Sequence, residues 1–367
     1  MKFKAAHAKA EGWAGVSKAC VDQLGTLDGD FNLGFLYVTD GLAPDLSSIL
    51  TFVRETTQIE DWVGAAGYGV FGGGQEYTDV PAMAILVAAM PSEDFRVFEA
   101  NDGFDEFRVD HSHWIERAAP PCAIVHGDSR NGDIGGIIAG MAEESSAFLI
   151  GGLASMEASE SLIAGKVTGG GLSGVMLSSR VPVATGLTQG CVPIGPVHSI
   201  TDVRNNVLIS LDERKALDVL VEDLGPGRDI RTIGGLVHVA LPISGSDTGD
   251  YLVRNLTGID VERGLVAIGE IPRPGDQVMF CARDRESARK DMGRMLKDLH
   301  ARAGATPKGG IYFSCVARGP HLFGIDGVEL GMIRDALGDF PLVGVFANGE
   351  ISHDRLYSYT GVLALFL

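Results

Sequence analysis

The chain has few cysteines, and none of them are closely spaced. Five cysteines are scattered over 367 residues, and no CxxC pair occurs. That spacing excludes a zinc ribbon and a thioredoxin-like redox motif. An odd number of distant thiols is typical of reduced cysteines in a cytosolic protein.

Long apolar runs are also absent. The longest, Met83–Met90, is far shorter than the roughly 20 residues that a membrane-spanning helix requires. The first ten residues are polar, without the apolar core of a secretory signal. We therefore expect a cytoplasmic protein with no membrane partner.

Basic residues are outnumbered by acidic ones. The chain has 30 Lys and Arg against 48 Asp and Glu, which gives a formal net charge of −18. Binding to nucleic acid or to an anionic membrane requires a basic face. The charge balance therefore predicts that no nucleic acid is bound, although it leaves room for one basic pocket.

Glycine is abundant, with 50 residues, and its share is roughly twice the usual one. The glycines follow strand-like segments, which predicts tight strand ends and close backbone packing. The stretch Gly67–Gly72 spells GxGxxG, but another strand follows it where a dinucleotide site needs a helix. We expect no cofactor.

One closely spaced histidine pair, His111 and His113, suggests a metal site at first sight. On a strand both rings would face the same side. However, the surrounding segment 102–116 is charged and irregular, which is typical of a surface loop, and no further His or Cys cluster supplies the remaining ligands. We predict no metal.

Strand-like runs alternate with helical periodicity, which predicts an α/β (mixed α+β) fold of two interlocked modules with sheets inside and helices outside. A degenerate order of strand, helix, strand, glycine-rich turn and strand occurs three times. The first strands of the copies end at Asp40, Asp128 and Cys315. Between the second and third copies, Pro193–Cys281 carries short, evenly spaced strands, which predicts an antiparallel meander.

The most informative stretch is 311–351. Two apolar runs, Ile311–Phe313 and Leu342–Phe346, have the length and content of buried strands and flank a helix. If these strands are parallel, the polar residues at their carboxyl ends meet at one edge of a sheet, where α/β proteins usually hold ligands. Those residues are Cys315, Arg318, Asn348 and Glu350.

Three motifs carry a family resemblance. They are Phe313-Ser-Cys-x-x-Arg-Gly-Pro-x-Leu-Phe-Gly324, Gly344-x-Phe-Ala-Asn-Gly-Glu-Ile351 and Leu356-Tyr-x-Tyr-Thr-Gly-Val-Leu363. They resemble the C-terminal module of the FIST family, whose name stands for F-box and intracellular signal transduction. The resemblance implies an N-terminal helical segment (1–32), an N-terminal FIST module (33–195) and a C-terminal FIST module (196–367).

The resemblance further implies a sensory protein for a small polar metabolite, such as an amino acid or a derivative. No F-box, kinase or cyclase segment is visible, so we expect the output to pass through a separate partner, with self-association left open. Arg254, in Val253-Arg-Asn255, and Arg283, in Arg283-Asp284, are similar to recurring features of the C-terminal module.

Each proposed site residue has an alternative interpretation. An arginine next to strands either forms an ion pair, with Asp284, Glu270 or Glu350 as partner, or holds a ligand carboxylate. Arg254, Arg283 and Arg318 are of this kind. An arginine and Glu350 facing one pocket would suit a zwitterion. Asp128 either caps a turn or lines a pocket.

Cys315 leaves a second function open, because Arg318 nearby would lower the pKa of its thiol. A thiol-dependent acyl transferase or hydrolase, with His321 or His353 as base, is therefore the alternative to a binding protein. No catalytic residue is assigned.

Overall fold

One order of strands and helices occurs three times in the computed structural model, which describes residues 1–101, 103–156, 159–226, 235–243 and 250–367. The first copy consists of β1 (Lys2–Lys9), α1 (Gly12–Leu24), β2 (Leu33–Thr39), α2 (Leu46–Thr57), β3 (Asp61–Gly67), β4 (Gly69–Gly72), β5 (Gln75–Thr78) and β6 (Ala82–Ala89). The second consists of β7 (Phe95–Ala100), α3 (Asp105–Ala118), β8 (Cys122–Gly127), α4 (Ile134–Ser145), β9 (Phe148–Leu153), β10 (Leu162–Ala164), β11 (Val167–Thr168) and β12 (Leu172–Leu177).

The third copy begins with β13 (Val183–Gln189) and is then interrupted in sequence. The interruption consists of β14 (Cys191–Pro193), β15 (His198–Arg204), β16 (Val207–Leu211), β17 (Arg214–Lys215), α5 (Ala216–Leu224), β18 (Val237–Pro242), β19 (Tyr251–Asp260), β20 (Leu265–Ile268) and β21 (Gln277–Arg283). The copy continues with α6 (Arg285–Ala303), β22 (Gly309–Cys315), α7 (Gly319–Phe323), α8 (Val328–Leu337), β23 (Leu342–Ala347), β24 (Glu350–His353), β25 (Arg355–Tyr357) and β26 (Thr360–Phe366).

The predicted repeat is confirmed by the strand pairing. In every copy the two strands that flank the second helix are parallel: β2 with β3, β8 with β9 and β22 with β23. The last strand of each copy then pairs antiparallel with the first of these. The carboxyl ends of the parallel strands therefore lie at one edge of each sheet, as the sequence predicts for β22 and β23.

The copies are interlocked through their hairpins. The β4–β5 hairpin pairs with β23 of the third copy, β10–β11 pairs with β3 of the first, and β24–β25 pairs with β9 of the second. Each sheet thus receives its edge from another copy in a cyclic exchange, so the interlocking involves three copies.

Chain contacts divide the protein into two compact units, Met1–Thr188 with Met292–Leu367, and Gln189–Asp291. The predicted boundary at residue 195 falls inside the second unit. In the first unit, the inner faces of the three sheets share one apolar core, which includes Phe35, Ile124 and Val345. Helices cover the outer faces through separate clusters. Sheets inside and helices outside match the predicted mixed α/β class.

The second unit is an antiparallel barrel. Its pairings run β21–β15–β16–β20–β19–β18, and β18 pairs with β21 again, which closes the ring. Leu208, Val239 and Phe280 are in its apolar interior, together with Leu220 of α5. The predicted meander is antiparallel as expected, and its closure arises from contacts that are distant in sequence.

One local prediction was wrong and another was incomplete. The segment around His111 and His113 belongs to α3, so the two rings, which are two residues apart, face different directions. His111 packs against Phe107, with ring centroids 4.8 Å apart. The segment 1–32, predicted as helical, also contains strand β1, which pairs along its whole length with β6.

Candidate ligand site

A glycine that recurs in each copy aligns the three copies with one another. These glycines are Gly64 on β3, Gly151 on β9 and Gly344 on β23. A Cβ atom on any of them would lie too close to a carbonyl oxygen of the neighbouring strand. The distances are 1.8 Å to Leu36, 1.8 Å to Val125 and 2.0 Å to Tyr312, respectively. The three carbonyl-bearing residues are therefore equivalent positions.

The residues that follow them, Tyr37, His126 and Phe313, meet in the shared core. Their ring centroids lie 5.5 Å apart for Tyr37 and His126, 5.9 Å for His126 and Phe313, and 6.1 Å for Tyr37 and Phe313. This nearly equilateral triangle marks the axis that relates the copies. The Tyr37 hydroxyl lies 3.0 Å from Nε2 of His126. Burial lowers the pKa of His126 to about 3, so the ring is neutral.

Two residues further on, a different polar group lies at or directly after the end of β2, β8 and β22: Thr39, Asp128 and Cys315. The hydroxyl of Thr39 donates to the carbonyl of Val80 at 2.9 Å. Thr39 therefore occupies the position that the sequence analysis gave to Asp40, which is one residue further along.

Asp128 closes a turn. Its Oδ1 accepts the backbone N–H and Nε of Arg130, at 2.9 and 3.1 Å, and its Oδ2 accepts Nη2 of Arg130 and the N–H of Gly170, both at 2.7 Å. Burial favours the protonated acid, but Arg130 and these amides outweigh it and lower the pKa of Asp128. Both oxygens are engaged within the protein, which supports the turn interpretation.

Glu350 breaks the symmetry of the three copies. Gly152, Ala65 and Val345 are equivalent positions, because each directly follows the recurring glycine of its copy. Their partners on the neighbouring hairpin strands are Glu350, Leu162 and Val70, respectively. Glu350 thus stands where the other copies have Leu162 and Val70. It is fully buried. Its Oε2 accepts the N–H and the hydroxyl of Thr360, at 3.1 and 2.7 Å, whereas its Oε1 has no hydrogen-bond partner in the described part of the chain.

Burial raises the pKa of Glu350 to about 8, although Thr360, Arg318 and Cys315 partly offset this effect. The thiol of Cys315 lies beside the carboxyl group as a weak sulfur contact. Burial and the charge of Glu350 both raise the pKa of Cys315. The thiol is therefore protonated near neutral pH, which is the opposite of what a thiolate nucleophile needs. Of the two predicted bases, His321 is exposed and His353 pairs with Asp354.

Arg318 forms a buried ion pair, but its partner is Glu329 of α8, which was not among the predicted acids. Nε and Nη2 of Arg318 both donate to Oε1 of Glu329, at 2.9 and 2.7 Å. The hydroxyls of Tyr312 and Ser314 also donate to Glu329, at 2.6 and 2.9 Å. Burial disfavours the charged guanidinium, but Glu329 outweighs it and the pKa of Arg318 is raised.

Tyr359 is another residue that differs from its equivalent in the second copy. It has φ of 63°, which is a strained backbone conformation for a bulky residue. The register of the last strands aligns it with Gly170, which has φ of 86°. The Tyr359 carbonyl accepts Nη1 of Arg318 at 3.5 Å, and its backbone interacts with Cys315. The strain therefore lies at the buried polar cluster.

The other predicted site residues lie elsewhere or face away from this cluster. Asn348 is exposed. Arg254 and Arg283 belong to the barrel unit. Nε of Arg254 donates to Glu270 at 3.0 Å, one of the ion pairs predicted as the alternative to ligand binding. Arg283 lies on β21 opposite Cys191.

Sequence reasoning missed Glu329 and Thr360. A signal for Glu329 was present, because it lies one helical turn before Ile333 and shares its buried face. Within the described residues, no cluster of His, Cys, Asp and Glu is suited to a metal ion. None of the described helices combines the length and apolar character needed to cross a bilayer.

The fold and this cluster define a mixed α/β protein of three interlocked copies, in which the fully buried acid Glu350 has one unsatisfied oxygen. Family models match residues 32–214 as the FIST N domain and residues 216–353 as the FIST C domain. The chain therefore belongs to the FIST family, whose domains are sensory domains of signal transduction.

Relatives with curated sequences are uncharacterised proteins of mycobacteria. One from Mycobacterium tuberculosis (strain CDC 1551 / Oshkosh) is 35% identical over 209 residues, 54% of each chain. One from Mycobacterium bovis is 32% identical over 213 residues, 54% of this chain and 53% of the relative. The chain spans about half the length of the curated relatives it matches.

Proposed function

We propose that this chain is a cytoplasmic sensory protein that binds a small polar metabolite at Glu350 and passes its occupancy to a separate signalling partner. The observation that carries the proposal is the unpartnered Oε1 of Glu350. Buried polar atoms almost always have a hydrogen-bond partner. A buried carboxyl with one unsatisfied oxygen, at a position where two equivalent copies are apolar, therefore supports a site that a ligand completes.

Two further features support this location. Cys315 lies beside Glu350, Tyr359 directly precedes its hydrogen-bond partner Thr360, and both differ from their equivalents in the other copies. The strained backbone of Tyr359 is typical of ligand clamps and switches, where surrounding contacts maintain it. Opening of the backbone around Tyr359 would give a ligand access to the buried oxygen. It would also provide the conformational change that a signalling partner recognises.

The proposal is tested by a thermal-shift screen of the purified chain against amino acids, amines, organic acids and other small metabolites. We expect a saturable rise in melting temperature that grows with ligand concentration. The variant Glu350→Leu, which restores the residue type of Leu162, should remove that rise. The variant Glu99→Gln changes an acid at the far edge of the same sheet and should retain it. A screen without a saturable shift, or a shift that survives Glu350→Leu, would contradict the proposal.

A further inference from the structure

We propose that the group recognised by Glu350 is the ammonium of an amine, and that the ligand carries no carboxylate next to that amine. This inference rests on the proposed function and narrows it to one chemical class. It replaces the zwitterion expected from the sequence, in which an arginine would hold the ligand carboxylate.

The cations near the strand ends are two arginines, Arg318 and Arg130. Arg318 directs Nε and Nη2 to Glu329 and Nη1 to the carbonyl of Tyr359. Arg130 directs Nε and Nη2 to Asp128, and Nη2 also to the carbonyl of Ser159. Both guanidinium groups are thus committed to acceptors of the protein. A ligand carboxylate would have to displace one of these buried acids, which leaves a buried charge without its partner.

Two of the three acids near the strand ends already have a cationic partner. Glu329 is neutralised by Arg318 and Asp128 by Arg130. Glu350 has no ion pair among the described residues, since its polar contacts come from Thr360 and the thiol of Cys315, which are both neutral. Arg318 acts on Glu350 only through space. When Glu350 is ionised, the partner that it lacks is therefore a positive charge, which an ammonium supplies.

A cation at this site would lie near three groups: Glu350, His126 and Phe313. Oε1 of Glu350 can only accept a hydrogen bond when the acid is ionised, and an ammonium offers three donors. His126 lies on the same inner face of the sheet, two strands away across Gly152. His126 is neutral and does not repel a cation. The ring of Phe313 lies close to Gly152, since a Cβ atom there would be 3.2 Å from Cδ1 of Phe313, and this ring carries no charge that repels a cation.

A carboxylate attached to the same ligand carbon would lie close to the ionised Glu350, and the nearby cation Arg318 is already paired with Glu329. Like charges held close in a buried site repel strongly, because the local dielectric constant is low. An amine with an apolar or hydroxylated remainder avoids that repulsion. An amine and the corresponding amino acid therefore differ at this site by the carboxylate alone.

The test uses matched ligand sets with the full chain. One set is 3-methylbutylamine, leucine and N-acetylleucine, and another is ethanolamine, serine and N-acetylserine. We expect saturable binding by calorimetry or thermal shift only from an amine, with the amino acid of its set weaker by about tenfold or more, as expected for one unfavourable buried charge. Glu350→Gln should weaken amine binding by about tenfold to a hundredfold, because the charge-assisted hydrogen bond is lost.

The outcomes separate the two proposals. Binding of an amino acid or its N-acetyl derivative at least as tight as that of the amine, abolished by Glu350→Leu, would overturn the amine inference and leave the sensory site intact. Absence of binding from every set and from the wider screen would overturn both. Glu99→Gln serves as the matched control and should bind the amine like the unmodified chain. If Glu350→Gln does not fold, the comparison within each ligand set still decides the question.

Discussion

Thr360 donates both its backbone N–H and its hydroxyl to a single oxygen of Glu350, at 3.1 and 2.7 Å. These two bonds hold the carboxyl group in place while its second oxygen has no partner among the described residues. The acid is thus oriented from one side and unsatisfied on the other. Because burial also raises the pKa of this acid above its value in the unfolded chain, its protonation state affects the stability of the fold and can be measured.

We expect Glu350 to make the chain less stable as the pH rises. Burial raises its pKa from 4.5 to about 8. Below pH 4.5 the acid is protonated in both the folded and the unfolded chain. Between these values the unfolded chain loses the proton and the folded chain keeps it, so the free energy of unfolding falls, by a few kcal/mol in total at roughly 1.4 kcal/mol per pKa unit.

Urea denaturation at several pH values between 5 and 9 measures this effect. Glu350→Gln should flatten the decline, so that the variant gains stability relative to the unmodified chain at the alkaline end. The pKa of Glu99 is lowered in the fold, because Lys166 and Thr168 outweigh the effect of burial, and Glu99→Gln should therefore not flatten it. Parallel pH profiles for the unmodified chain and Glu350→Gln would refute the assignment.

Removal of Glu329 should be strongly destabilising. Arg318 is buried and directs two N–H groups to Glu329, so Glu329→Gln leaves an uncompensated charge. We expect a loss of about 3–5 kcal/mol in the free energy of unfolding. The double variant Arg318→Met, Glu329→Leu removes both charges and should be more stable than Glu329→Gln. Chemical denaturation of the three chains decides this, and a double variant less stable than the single one would contradict it.

The recurring glycine should tolerate no side chain. Gly151→Ala places a Cβ atom 1.8 Å from the carbonyl oxygen of Val125, which requires the parallel strands to separate. We expect little soluble protein, or a melting temperature lower by many degrees. Gly331→Ala in α8 meets no atom within 4 Å and should be neutral or stabilising by about 0.5–1 kcal/mol. Equal behaviour of the two variants would disprove the steric argument.

Local pattern was enough to predict the repeat, whereas the parallel pairing of its strands was only assumed and is shown by the structure. The runs Ile311–Phe313 and Leu342–Phe346 lie within β22 and β23, since short apolar runs on either side of a helix leave few alternatives. The cyclic exchange of hairpins was not predictable. It depends on the pairing of β4 with β23, which are separated by most of the chain, and no local pattern encodes that contact.

The site was predicted in part for a related reason. Spacing placed Cys315 and Glu350 at one sheet edge, and they are neighbours in the structure. The same reasoning included Asn348, which is exposed, because a turn motif does not reveal which side chains point inward. It also selected the wrong acid for Arg318. Helical spacing in α8 does not show which acid turns inward, whereas in the structure Glu329 does so and satisfies the guanidinium.

In the barrel unit, His198 should stabilise the fold at low pH. Its Nδ1 lies 2.6 Å from Asp212 and its Nε2 lies 2.9 Å from Asp223. Burial disfavours the charged ring, but the two acids outweigh it and the pKa of His198 is raised. The stabilisation is therefore fully present below pH 6.5, the ordinary value, and is lost as the pH rises through the raised pKa.

Hydrogen exchange of peptides from β15 and β16 reports on this part of the chain. We expect these peptides to open more readily at pH 9 than at pH 6, after correction for the intrinsic exchange rate. His198→Gln should remove that difference, because glutamine has no proton to lose in this range. A difference of the same size in the variant would show that another group is responsible.

The aromatic triangle at the centre of the three copies offers a test of coupling between two of them. Tyr37→Phe removes the hydroxyl that lies 3.0 Å from Nε2 of His126 and leaves a buried nitrogen unsatisfied, at a cost of about 1–3 kcal/mol. His126→Phe leaves the Tyr37 hydroxyl unsatisfied in the same way. The double variant makes all three rings apolar, like Phe313, and creates neither defect. We therefore expect it to be less destabilised than the sum of the single variants, in a double-mutant cycle measured by urea denaturation. Additive losses would show that the hydroxyl and the imidazole contribute independently, and that the shared core is held by packing alone.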